Sequence, residues 1–153
     1  MGTAISMGNP HCVLYLEPHD DMPSMDVPGF GRSVENRADL FPSRTNVEFV
    51  KVLGDRIETR VWERGSGETM ACGTGACAAL VACSLTGLSG RSADVVFPGG
   101  VLRLDWREDG DVYLTGPAVC VYDGELYAAW LGDVGGSSDI AVGVSAPAGG
   151  GTS

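Results

Sequence analysis

The feature that most restricts the fold is an apolar segment near the middle of the chain, residues 74–85. It is built from Ala, Cys, Leu and Val with almost no polar side chain, which predicts a helix that is apolar on every face. Such a helix must be covered on all sides. The rest of the chain is rich in short strand patterns. We therefore predict an α+β fold, in which a mostly antiparallel curved sheet or barrel wraps round one central apolar helix.

Short apolar and alternating runs predict the strands of this sheet. Two alternating segments, 46–52 and 56–63, are expected to pair as a hairpin, each strand with one buried face. A short helix is expected at 31–37. The other predicted strands are 12–16, 93–97, 101–106, 112–115 and a final hairpin of 119–122 with 125–129 about Asp123-Gly124.

The end of the sequence differs from the rest in composition. From about Gly132 it is rich in Gly, Ser and Ala and has no periodicity. We therefore predict one folded domain over 1–131 and a flexible tail over 132–153.

Composition limits the partners and the compartment. The 153 residues carry 10 basic and 20 acidic side chains, a net charge of −10, which disfavours nucleic acid and anionic membranes. No run approaches the ~20 apolar residues of a membrane helix. Five cysteines without secretory features predict reduced thiols in a cytoplasmic protein. Their spacing does not match a zinc site, so no metal is expected.

Cys72 is the leading candidate for chemistry. It directly precedes the apolar helix, where free N–H groups and the helix dipole favour anions, so we predict a lowered thiol pKa and a reactive thiolate. The N–H groups of Gly73 and Thr74 could hold a substrate carboxylate. Cysteines 77 and 83 are expected to be core residues, and Cys120 structural.

A second candidate group lies in Met7-Gly8-Asn9-Pro10-His11, just before the first predicted strand. Asn9 and His11 on a rigid turn could bind and titrate, or Asn9 could close a turn with His11 on the surface. The roles of Asn46 and Arg64 are equally undecided at this point. Taken alone, Asn46 is typical of a turn residue and Arg64 of a solvated charge.

Four motifs taken together resemble a known family. They are Met7-Gly8-Asn9-Pro10-His11, Thr45-Asn46-Val47-Glu48-Phe49, Glu63-Arg64-Gly65 and Ala71-Cys72-Gly73-Thr74-Gly75. In this order and at these intervals they resemble the C-terminal half of diaminopimelate epimerase. That family contains cofactor-independent isomerases of lysine and peptidoglycan precursor biosynthesis. The resemblance covers about residues 6–128.

The resemblance implies a two-base mechanism interconverting LL- and meso-diaminopimelate, because inversion needs an acid and a base on opposite faces of the α-carbon. It implies that Cys72 is one of two catalytic cysteines, that Glu63 assists its proton transfer and contacts substrate, and that His11 lies near the other cysteine. It further implies substrate contacts from Asn9, Asn46, Arg64, Gly73 and Thr74.

The chain departs from the family in one respect. The family has two similar halves with one catalytic cysteine each, and only the motifs of the second half occur here. We therefore expect a fragment that is inactive alone. It would need the N-terminal half in cis or in trans, or a homodimer that places Cys72 opposite its copy.

Two alternatives to the epimerase remain open. One is a related cofactor-independent racemase or isomerase acting on proline-like or aromatic substrates. The other is a non-catalytic binding domain derived from the epimerase half. Asn9, Asn46 and Arg64 occurring together favour the longer diaminopimelate substrate over proline-like or aromatic ones. Hydrogen exchange at the substrate α-carbon would distinguish an enzyme from a binding domain.

Overall fold

The computed structural model describes residues 1–119. The hairpin expected about Asp123-Gly124, Cys120 and the tail expected over 132–153 lie outside the described residues. The elements are β1 (Gly2–Ser6), β2 (Pro10–Tyr15), α1 (Val27–Glu35), β3 (Asn46–Leu53), β4 (Arg56–Glu63), β5 (Gly67–Thr69), α2 (Gly73–Leu85), β6 (Ser92–Phe97), β7 (Gly100–Trp106) and β8 (Val112–Thr115).

Helix α2 is the centre of the fold, as its composition predicts. It contacts seven of the eight strands, β1 to β4 and β6 to β8. Its fully covered residues include Ala76, Ala79, Leu80, Ala82 and Cys83, which occupy more than one side of the helix. Neither described helix is long and apolar enough to cross a membrane.

The strands form one curved sheet in the order β1-β2-β3-β4-β6-β7-β8, with β5 paired to the end of β4. The pairs β2–β3 and β4–β6 are parallel, and the others are antiparallel. Helix α2 contacts both β1 at one edge and β8 at the other, so the sheet curls round the helix. The predicted fold class is confirmed.

Strand β3 is covered on both faces, which corrects the expectation of a half-buried strand. Val47 and Phe49 pack with Trp62 in a cluster beneath α1, whereas Val50 belongs to the core around α2. Glu48 shares the face of Val50, because alternate residues of a strand point to the same side. The sequence pattern was correct in period, but α2 covers the polar face of Asn46 and Glu48, which we expected to be solvated, while α1 covers the apolar face of Val47 and Phe49.

Helix α1 begins earlier than the predicted 31–37. The Asp26 carboxylate caps its N-terminus by accepting a hydrogen bond from the Gly29 N–H at 2.9 Å. Pro28 lies in the first turn, where a proline ring fits without losing a helical hydrogen bond. Two strands, β1 and β5, are additional to those predicted.

Candidate active site

The sheet topology brings four chain segments to one end of the sheet. Strands β2 and β3 are parallel, with His11 paired to Asn46, so both begin at this end. Strand β4 is antiparallel to β3 and ends there at Glu63. Helix α2 begins there after Cys72. The candidate residues of all four motifs therefore lie at the same end of the sheet.

Cys72 is the N-cap residue of α2, with φ −141° and ψ 117°. Its thiol is half-buried, and its Sγ lies 3.6 Å from the Thr74 Oγ1. The Cys72 side chain makes no capping hydrogen bond to α2, but the nearby Gly75 N–H lowers the pKa of the thiol. The predicted location of Cys72 at the start of a buried helix is confirmed. At this location the first turn of the helix places N–H and O–H groups next to the thiol.

The predicted lowering of the Cys72 pKa is wrong. Burial raises the pKa of this thiol, and the carboxylates of Glu63 and Glu48 raise it further. The Thr74 hydroxyl and the Gly75 N–H lower the pKa but do not outweigh these effects. Cys72 is therefore a protonated thiol at neutral pH, which suits a proton donor.

A chain of hydrogen bonds connects Cys72 to the interior. Asn9 Nδ2 donates to Thr74 Oγ1 at 3.3 Å, and Asn9 Oδ1 lies 3.0 Å from His11 Nε2. His11 Nδ1 lies 2.7 Å from Glu48 Oε1. His11 and Glu48 are both fully buried, so the alternative of a surface histidine is wrong.

Asn46 and Arg64 form a second group beside this chain. The Arg64 backbone N–H donates to Asn46 Oδ1 at 2.8 Å, and Arg64 Nη1 donates to the Ser43 carbonyl at 2.7 Å. Asn46 is buried. These two residues are thus held in place, and neither is a mere turn residue or solvated charge.

Glu63 occupies the end of β4. Its carboxylate accepts a hydrogen bond from the Thr69 hydroxyl on β5. Its charge raises the pKa of both Cys72 and Glu48, which places it within electrostatic reach of the two groups. Gly73 and Thr74 are exposed in the first turn of α2, where backbone N–H groups lack partners within the helix.

Comparison with known proteins agrees with this geometry. The family model described as diaminopimelate epimerase matches residues 3–121. The chain belongs to the diaminopimelate epimerase family. The epimerase of Leptospira biflexa is 51% identical over 125 residues, covering 81% of this chain and 43% of that protein. The epimerase of Phocaeicola vulgatus is 53% identical over 127 residues, covering 82% and 44%.

Among solved structures, a PhzF-family phenazine biosynthesis protein of Bacillus anthracis has a TM-score of 0.49 at 21% identity. That match covers 74% of this chain and 37% of the other. The chain spans less than half the length of the curated epimerases that it matches.

Sequence reasoning about the diaminopimelate epimerase motifs missed one prominent residue, Glu48. It lies inside one of the four motifs, but its strand was expected to be open to solvent on that side. A usable signal was present, because Glu48 follows Asn46 by two residues and therefore shares its face of the strand. Thr69, the partner of Glu63, lies in a strand that was not predicted.

Proposed function

We propose that this chain provides one half of the active site of a diaminopimelate epimerase. Within that half, Cys72 exchanges a proton with one face of the substrate α-carbon. The observation that carries the proposal is the position of Cys72, a thiol at the start of a buried helix with Asn9, Asn46 and Arg64 at the same end of the sheet. Family membership adds support to the substrate class.

The protonation state of Cys72 determines its role. In one direction, a thiolate on the opposing half removes the α-proton, and the Cys72 thiol donates its own proton to the opposite face. The C–H bond broken on one side is replaced by a C–H bond formed on the other, and the configuration inverts. In the reverse direction Cys72 begins as thiolate and the opposing group is the acid.

The first turn of α2 would stabilise the intermediate. Removal of the α-proton places negative charge on the carbon and on its carboxylate. N–H groups of Gly73 and Thr74 aimed at that carboxylate bind it more strongly as this charge develops, which lowers the barrier. Glu63 would assist the proton transfer of Cys72.

The other end of the substrate would bind to the second group. The Arg64 guanidinium has further N–H donors beyond the one used by Ser43, and these suit a carboxylate. Asn9 and Asn46 would provide neutral hydrogen bonds to the distal amino acid group. A His11 ring next to Asn9 would face the half that carries the opposing cysteine.

The proposal predicts that the 153-residue chain does not epimerise diaminopimelate alone. Activity should appear when the chain is joined to the N-terminal part of a relative such as the Leptospira biflexa epimerase. Conversion of LL- to meso-diaminopimelate and deuterium uptake from D₂O at the α-carbon are the measurements. Cys72→Ala in the joined protein should lower both by about 10²- to 10⁴-fold, the usual contribution of a general acid or base.

Two results would contradict the proposal. A folded joined protein that neither inverts nor exchanges the α-proton would rule out the epimerase. Turnover by the isolated chain that disappears on Cys72→Ala would rule out the need for another half. If that turnover rose with the square of chain concentration, two copies with facing Cys72 residues would be the active form.

A further inference from the structure

Glu48 is a buried carboxylate with an incomplete set of hydrogen bonds. Its side chain is 0% exposed, and Oε1 is engaged with His11 Nδ1 at 2.7 Å. Among the described residues, Oε2 has no hydrogen-bond partner. A buried acceptor without a partner costs about 1–3 kcal/mol, so stability alone does not account for a carboxylate here.

The geometry around His11 fixes where its protons are. Asn9 donates through Nδ2 to Thr74, so its Oδ1 faces His11 as an acceptor. His11 Nε2 must therefore carry a proton. His11 Nδ1 then has two possible roles. In a neutral ring it accepts a hydrogen bond from the protonated carboxyl of Glu48, and in a cationic ring it donates one to the ionised carboxylate. Both arrangements hold one shared proton and leave the pair with no net charge.

The same carboxylate approaches Cys72 across Gly75. A Cβ on Gly75 would lie 2.8 Å from Glu48 Oε1 and 3.3 Å from Cys72 Sγ. Because glycine has no side chain, the carboxylate and the thiol can share this small space. The structure thus places Glu48 between the buried histidine and the catalytic thiol.

We propose that Glu48 is a positioning residue, which orients the His11 ring through Oε1 and controls the ionisation of Cys72 across Gly75. While the pair keeps its shared proton it is neutral. Once that proton is lost, a full negative charge lies beside Cys72 and holds it as a thiol. The catalytic role of this coupling rests on the proposed function, but the electrostatic effect of Glu48 on Cys72 does not.

Several other groups face the two residues and must be considered. Cys72 is approached by Glu63 from β4, by Glu48 from β3 and by Cys77 of its own helix. Glu48 is approached by His11 and Cys12 from β2 and by Glu63. Burial raises the pKa of Glu48, and Glu63 adds to this, while His11 acts in the opposite direction. A substitution at Glu48 leaves the other carboxylate, Glu63, in place.

The test is the pH dependence of Cys72 alkylation by iodoacetamide in the full chain, followed at each cysteine by mass spectrometry. Glu48→Gln keeps the size of the side chain but removes its charge. Over the pH range in which the wild-type pair has lost its shared proton, we expect the Cys72 profile to move to lower pH in the variant, with alkylation about threefold faster, equivalent to about half a pKa unit. Glu35→Gln is the matched control, a buried glutamate at the end of α1, and should leave the Cys72 profile unchanged.

An unchanged Cys72 profile in folded Glu48→Gln would overturn the proposal. So would an equal shift in Glu35→Gln. Neither measurement involves turnover, so failure of the epimerase proposal would leave this result standing, and the converse also holds.

A second measurement needs no substitution. The chain has two histidines, and His19 is 84% exposed, so its ring provides a solvated reference in a ¹⁵N spectrum of the imidazoles. We expect the His11 Nδ1 resonance to show a strong hydrogen bond that the His19 ring lacks. A His11 ring with the same ¹⁵N shifts as His19 would overturn the proposal even if Glu48→Gln failed to fold.

Discussion

Two buried glutamates on opposite faces of the same sheet have different environments. Glu35, the last residue of α1, has donors on both oxygens. Trp62 Nε1 donates to Oε2 at 2.7 Å, while the Gly65 N–H and Arg44 Nη1 donate to Oε1 at 3.1 and 3.0 Å. Every bond joins Glu35 to another segment, so this carboxylate links α1 to the loop that carries Arg64.

Glu48, on the α2 face, has a hydrogen bond on one oxygen alone within the described residues. The difference shows that burial by itself does not reveal what a charged residue contributes. A fully bonded carboxylate compensates for its desolvation and stabilises the fold. A half-bonded one lowers stability and retains the ability to exchange a proton.

The largest expected effect is from Glu35→Ala. This change leaves the Trp62 indole and the Gly65 N–H without their acceptor inside the protein, so we expect the free energy of unfolding to fall by about 3 kcal/mol. Urea denaturation of the full chain measures it. Glu35→Gln keeps one acceptor and should lose less. Equal losses in the two variants would show that packing, not hydrogen bonding, is the contribution of Glu35.

Trp62→Phe tests the same site from the donor side. The indole ring is nearly buried, at 8% exposed, and loss of its N–H would leave Glu35 Oε2 without this bond. We expect a loss of about 2 kcal/mol in urea denaturation, since a bond to a charged group contributes about 1.5–3 kcal/mol. Trp106→Phe is the control, because Trp106 donates to a surface carbonyl of Gly110. A larger loss at Trp106 would contradict the comparison.

Glu48→Gln should have the opposite sign. Gln keeps a hydrogen-bonding group next to His11 and leaves no buried carboxylate, so we expect a gain of about 1 kcal/mol or no change at pH 7. The pKa of folded Glu48 lies above the ordinary 4.5, so the wild-type chain loses stability relative to the variant as pH rises through that range. Urea denaturation at pH 4, 6 and 8 should show the difference growing with pH. A variant that becomes relatively less stable as pH rises would refute this.

The smallest effect should come from Arg44→Gln. The Arg44 side chain is 56% exposed, and solvent weakens its ion pair with Glu35. We expect a loss below about 1 kcal/mol. Arg37→Gln, which breaks the exposed pair with Asp39, is the matched control and should behave similarly. If Arg44→Gln cost as much as Glu35→Ala, the neutral donors would be minor and the ion pair would dominate.

The core of the fold was predictable because composition alone demanded it. An apolar helix must be covered on all sides by other elements. The alternating runs 46–52 and 56–63 predict the central hairpin of the sheet that covers it. Local rules failed where a distant segment changed an environment. The pattern of β3 predicts a half-buried strand, but helices cover both of its faces, α1 the apolar face and α2 the polar face. The three-residue β5 exists only by pairing with β4.

The candidate site shows the same division. The location of Cys72 at a helix start followed from its neighbours in sequence. Its pKa did not, because the direction depends on burial and on Glu48 and Glu63, which approach from other strands. The role of Glu48 also depends on His11, its partner across 37 positions of the chain.

The hydrogen bond between Asn9 and Thr74 joins residues 65 positions apart. Closing so long a loop costs entropy before any contact repays it, and folds dominated by such distant pairings acquire them slowly. No local fragment of the chain can therefore assemble the environment of Cys72. During refolding, the rate at which this thiol reacts with a reagent would change when the two ends of the segment meet. Cys72 is thus also a natural reporter of a long-range step of folding.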